Sequence, residues 1–149
     1  MFVMFLITLV AVGAAVAAWL RPIPHEPSAK PAAPSYSEQQ VADAKSKVCA
    51  AYEKVLNATT VNASRTLGDD PNSQLLTAVN QRQVFVIGSA YYWKTLAEEP
   101  ATPPDLAAAV DNLAHLYLTI NLDGIVGDRN DAAHNAANEA GAKIQELCK

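Results

Sequence analysis

Hydrophobic residues run without interruption through residues 1–20, MFVMFLITLVAVGAAVAAWL, where no side chain is charged. Residues 21–36, RPIPHEPSAKPAAPSY, then hold five prolines and no sizeable apolar cluster. From residue 37 onward apolar positions recur at steps of three and four, the repeat of helices that each bury one face.

The first such helix is expected to start at Ser37, whose hydroxyl can cap the first turn while Gln40 reaches back as its capping-box partner. Val41, Ala44, Val48, Ala51, Val55 and Ala58 share an inward face, widened by Tyr52 and Leu56 beside Cys49. The helix should run to about residue 66, because Gly68-Asp69-Asp70-Pro71 supplies a glycine, a turn and a proline together. A second helix is expected from Asn72 or Ser73 to Glu98. Its middle, residues 84–93, is apolar nearly all round, the pattern of a central helix or of a surface awaiting a partner. The β-branched residues there would also suit a strand, but the segment is too long for one, and Gly88-Ser89 permits a close neighbour or a bend. After a loop over residues 99–104, a third helix begins near Thr102 or Asp105. It carries Leu106, Val110, Leu113, Tyr117 and Ile120 at bundle spacing and stops near Asp123-Gly124. A fourth begins at about Asp128, with Ala133, Ala137, Ala140, Ile144 and Leu147 on one face. Its small residues Ala133, Ala137 and Gly141 allow close packing. Four helices with short connections predict an all-α fold, an antiparallel up-down-up-down four-helix bundle.

The opening run changes the setting of that bundle. At about 1.5 Å per residue, residues 1–20 span about 30 Å, the hydrocarbon thickness of a bilayer. A cleavable signal peptide competes with a retained anchor, since Ala15-Val16-Ala17 offers a small-x-small site. The run is longer than the usual core of about 7 to 15 residues and no basic region precedes it, so a transmembrane signal anchor is the reading adopted. Residues 21–36 then form an extended Pro/Ala-rich linker, and residues 37–149 one helical domain. Arg21 and Lys30 would hold the following chain in the cytoplasm by the positive-inside rule. The cysteines argue the other way.

In an antiparallel pairing of the first and fourth helices, the end near residue 66 lies beside the start near residue 128. Cys49 is then about 25 Å from that end and Cys148 about 30 Å, so the two sulfurs reach nearly the same height. A Cys49–Cys148 disulfide is therefore expected, and with it an extracytoplasmic domain on a single-pass anchor in the cell membrane.

Charge narrows the partners. Residues 36–149 hold nine Lys plus Arg against fourteen Asp plus Glu, a formal charge of −5. A basic footprint for nucleic acid is missing. The lipid bilayer is expected as a partner through residues 1–20 only. The acidic string Asp123, Asp128, Asn130 and Asp131 lacks the spacing of a calcium loop, and capping by Asp128 with Asp131 in the first helical turn explains it. His115 and His134 lack the further ligands of a zinc site. The Asn57 and Asn62 sequons read as polar helix surface. No nucleophile elbow, phosphate-binding loop or dinucleotide fingerprint is present. The expectation is a non-enzyme without cofactor or metal.

An uncharged N-terminal span, a Pro/Ala spacer, the segment YSEQQVADAKSKVCAAYEKV and a terminal Cys148 together resemble the small Ala/Pro-rich membrane proteins of mycobacteria and related actinobacteria. That resemblance implies a bacterial cell envelope and names no activity. The resulting expectation is an accessory or scaffold subunit acting through contacts with an envelope protein, with Tyr91, Tyr92 and Trp93 as contact residues, since aromatics concentrate in interface cores. The alternative is a binding module for an apolar small molecule or lipid, in a pocket lined by Tyr91, Trp93, Tyr117 and Leu113.

Overall fold

The computed structural model describes residues 34–65 and 68–149. The expected anchor over residues 1–20 and most of the linker over 21–36 lie outside the described residues. Four helices make up most of the described chain: α1 (Glu38–Ser64), α2 (Pro71–Glu98), α3 (Pro104–Ile125) and α4 (Asp131–Leu147). Among the described residues, no helix is long and apolar enough to cross a membrane.

Local chemistry sets the helix starts. Ser37 caps α1 through the expected box: its hydroxyl accepts from the Gln40 N–H, while its own N–H donates 2.9 Å to the Gln40 side chain. The start of α2 lies slightly earlier than Asn72 or Ser73. Asp70 is the cap, accepting from the N–H groups of Asn72 and Ser73 and from the Ser73 hydroxyl at 2.6 Å, and Pro71 occupies the first helical turn, where its missing N–H costs nothing. Those bonds, the hydroxyl's foremost, hold the Asp70 carboxyl below its ordinary pKa. For α4 the cap is Asn130, not Asp128. Asn130 adopts a left-handed backbone (φ 40°), which asparagine tolerates, and its side chain accepts 3.0 Å from the Ala133 N–H. Asp128 instead accepts from the Asn130 N–H inside the turn.

Each helix packs against the next in sequence, and short turns make neighbours antiparallel. Early α1 meets the end of α2 where Lys47 donates 2.6 Å to Glu99, and late α1 meets early α2 where the Asn62 amide donates to Gln81. The same reversal joins α2 to α3: Trp93 lies level with Asp111, Ser89 with Ala114 and Arg82 with Gly124. Arg82 donates to the Gly124 carbonyl, so a cation from α2 stands at the α3 C-terminus, which has no basic residue of its own.

The core is one cluster: Val48, Tyr52 and Val55 from α1, Tyr92 from α2, Leu106 to Ile120 from α3, and Ala133, Ala137, Ala140 and Ile144 from α4. Helices α1 and α4 close the bundle with the Tyr52 side chain buried between them. Its hydroxyl donates 3.1 Å to the Gly141 carbonyl, and a Cβ at residue 141 would lie 3.2 Å from that oxygen. Glycine there makes room for the tyrosine. The expected Cys49–Cys148 disulfide is present on this seam, with Cα atoms 5.7 Å apart and a sequence separation of 99. Closing a loop of that length contributes about 4.7 kcal/mol in the chain-entropy view.

Candidate interaction surface

Helix α2 turns its small residues inward. Gly88 and Ser89 are buried with Tyr92, Gly88 against Val55 of α1 and Ser89 against Ala114 of α3. A Cβ at residue 88 would lie 2.7 Å from Val55 Cγ1, so glycine is what lets α1 approach. The fully buried Ser89 hydroxyl donates between two carbonyls, Phe85 on its own helix at 2.9 Å and Ala114 on α3 at 2.8 Å. Residues 84–93 are thus not the middle of a central helix. Their large members Val86 and Ile87 face water, and Ile87 retains 66% of its exposure.

With Leu75, Leu76 and Val79, these residues form an apolar stripe along the solvent side of α2. Leu76, Val79, Gln83, Val86 and Ala90 follow one another at steps of 3, 4, 3 and 4, and all are exposed. That is the repeat of a helix–helix seam, here without a helix laid on it. Its one polar member is Gln83. Between Asp70 and Lys94 the only charged residue of α2 is Arg82, and the α3 end holds it. A smaller apolar group, Leu122, Ile125 and Val126, is exposed where α3 ends.

The three aromatics proposed as contacts go three ways, since consecutive residues on a helix stand about 100° apart. Tyr92 is 0% exposed, so it is a core residue and presents nothing to a partner. This corrects its place among the contact residues. Tyr91 is half-buried on the α1 side, with the Lys54 ammonium 5.1 Å above its ring. Trp93 is half-buried on the α3 side, donating 2.8 Å to Asp111 with its ring against His115.

Among several surface depressions, two take in residues of the expected pocket. One of about 270 Å³ runs along the α1–α2 seam between Lys54, Val55, Ala58, Val84, Ile87 and Tyr91. The other, about 280 Å³, opens between α1 and α4 and reaches Phe85, Tyr117 and Ile120. Tyr91 and Tyr117 therefore line different depressions, and Leu113 is packed solid in the core, so the four residues expected around one pocket do not converge.

No cluster of three or more potential metal ligands occurs among the described residues. Asp123 accepts from the Asn130 amide and Asp128 from the Asn130 N–H, so both carboxylates fasten the turn between α3 and α4. His115 packs on Trp93, while His134 borders the α1–α4 depression. Burial pushes the hydroxyls of Tyr52, Tyr92 and Tyr117 above the ordinary tyrosine pKa. No protein-family model, curated protein or solved structure matches this chain significantly. The exposed seam of α2 is the candidate site that the geometry leaves.

Proposed function

We propose that this protein is a non-enzymatic, membrane-anchored component of a cell envelope, an accessory or scaffold subunit that works by protein contact through the outer face of α2. The single observation that supports this reading most is the charge-free seam from Leu75 to Ala90, exposed on a domain whose core is complete without it. Soluble domains seldom leave a contiguous apolar face of this extent in water unless something covers it. Residues 1–20 anchor the chain in the bilayer, and the disulfide supports an oxidising, extracytoplasmic setting for the helical domain. The likeness to actinobacterial envelope proteins supports the same location.

The test is recovery of partners from detergent-solubilised membranes with the full chain as bait, protein and lipid both read by mass spectrometry. Recovery of a discrete protein, lost in the Leu76→Lys, Ile87→Lys variant but retained in a control altered on exposed Asn112 of α3, is the expected result. Equal recovery by bait and variant would place the contact elsewhere. The location is tested separately: labelling of the unreduced, denatured protein with a thiol reagent should find no free cysteine, and two labelled cysteines would sink the extracytoplasmic assignment.

A further inference from the structure

We infer that the occupant of the α2 seam is a second copy of this chain, paired antiparallel about Gln83. The inference rests on the protein-contact reading above and names the partner. In an antiparallel pairing centred there, Leu76 lies opposite Ala90 of the other copy, Val79 opposite Ile87, and Gln83 opposite itself. Leu76 meets the small Ala90, and Val79 packs on Ile87, so the pairs are apolar across the seam. The two Gln83 amides, each with donor and acceptor, satisfy one another on the two-fold axis. A polar pair within an apolar seam also fixes register, because any slip leaves both amides against hydrocarbon.

Charge chooses the direction of pairing. Lys94 closes one end of the seam and Asp69 and Asp70 stand at the other, all exposed. Antiparallel pairing sets Lys94 level with Asn72 of the partner, one turn from both aspartates. Parallel pairing would set lysine against lysine and two aspartates against two, and it would align the helix dipoles unfavourably.

Area agrees. Leu75, Leu76, Val79, Val86 and Ile87 retain between 38% and 66% of their exposure, together about 500 Å² of apolar surface, near the upper end of what monomers show. With Gln83, Ala90 and the flanking polar residues, the face approaches the about 800 Å² per partner of a standard interface. Tether reach does not forbid the arrangement: residues 21–36, at about 3.1 Å each when extended, reach about 50 Å, more than the about 42 Å length of α2.

The two native cysteines are joined to each other, so one added cysteine is the only free thiol. The full chain is reconstituted in phosphatidylethanolamine and phosphatidylglycerol vesicles and mildly oxidised. Gln83→Cys should give a covalent dimer. Leu76→Cys mixed with Ala90→Cys should give the heterodimer, while Leu76→Cys alone stays monomeric. Adding Ile87→Lys to Gln83→Cys should slow dimer formation at least roughly tenfold without changing the melting temperature of the monomer, since the lysine is exposed in the monomer and buried unpaired in the dimer. Rapid self-linking of Leu76→Cys would overturn the antiparallel pairing. No dimer from Gln83→Cys would overturn the second copy, and a photoreactive group on the same cysteine, in the full chain within its native membranes, then distinguishes the causes. An adduct with a different protein ends the self-pairing and retains the protein-contact reading, whereas an adduct with lipid only, or none, ends both.

Discussion

Helices α2 and α3 are both rich in apolar residues and use them in opposite ways. In α3, Leu106, Val110, Leu113, Tyr117 and Ile120 fall on one stripe and are all buried. In α2, Leu75, Leu76, Val79, Val86 and Ile87 lie outside, while Gly88, Ser89 and Tyr92 are the fully buried residues and Phe85, Tyr91, Trp93 and Leu96 are partly buried against the core. The difference lies in how close each helix must come to its neighbours. At the middle of α2, Val55 Cγ1 of α1 stands 2.7 Å from where a Cβ on Gly88 would lie, and the backbone of α3 is within a hydrogen bond of Ser89. Only small residues fit at positions 88 and 89, and the large Val86 and Ile87 beside them are left on the outer face. Apolar content measures how much a helix could bury; the placement of its small residues decides which side it buries.

The strongest break in this comparison comes from matched truncations. Leu113→Ala removes a side chain that is 1% exposed in the core and should cost about 2 to 5 kcal/mol in denaturant unfolding. Ile87→Ala removes a similar volume from the outer face of α2 and should stay within about 0.5 kcal/mol for the monomer. Equal losses at the two sites would mean that α2 is not turned as described.

Gly88→Ala probes the close approach itself. Its new methyl would meet Val55 Cγ1 at 2.7 Å, so Val55 must turn or α1 must retreat, with a loss of about 1 to 3 kcal/mol despite the better helix propensity of alanine. Val55→Ala in the same chain should return part of that loss, since it removes the atom in the way. A stabilised Gly88→Ala would show that the seam has slack. Ser89→Ala should cost less, about 1 kcal/mol, because the Ala114 and Phe85 carbonyls lose one shared donor.

How far these arrangements could be read in the sequence depends on which signal each one leaves. The Ser37 box, the five inward residues of α3 and the equal heights of Cys49 and Cys148 follow from spacing along single helices, and the structure has all three. The orientation of α2 leaves no such signal, because its middle has no polar face to mark the outside. One clue was present: three consecutive aromatics cover about 200° of a helix, so Tyr91, Tyr92 and Trp93 could not all face a partner. Steps of 3, 4, 3 and 4 from Leu76 to Ala90 were equally visible, but only burial shows that this seam is the outer one. Asp128 and Asn130 compete for the same cap by residue type. The left-handed turn at Asn130 decides between them, and it is a backbone property.

The smallest effects belong to the tyrosines that stand where the two kinds of helix meet. The Tyr92 hydroxyl is buried with no hydrogen-bond partner among the described residues, whereas the Tyr52 hydroxyl has the Gly141 carbonyl. At pH 7, Tyr52→Phe should therefore lose about 1 kcal/mol, and Tyr92→Phe should be unchanged or gain up to about 1 kcal/mol, by denaturant unfolding of each variant. A clear loss in Tyr92→Phe would show that its hydroxyl is satisfied. Alkaline pH separates them further. Burial raises Tyr92, Tyr52 and Tyr117 above the value of about 10 that they have in the unfolded chain, so above that pH the folded state holds protons which the unfolded state has released. Stability from these groups is fully present below about pH 10 and falls as pH rises through the folded values. Tyr92→Phe removes one of the three, so its stability should fall less steeply above pH 10 than that of the unaltered protein, while the two curves run parallel below pH 9. Curves that stay parallel above pH 10 would mean that Tyr92 ionises as freely in the folded chain as in water, and so does not sit in the core that α3 builds.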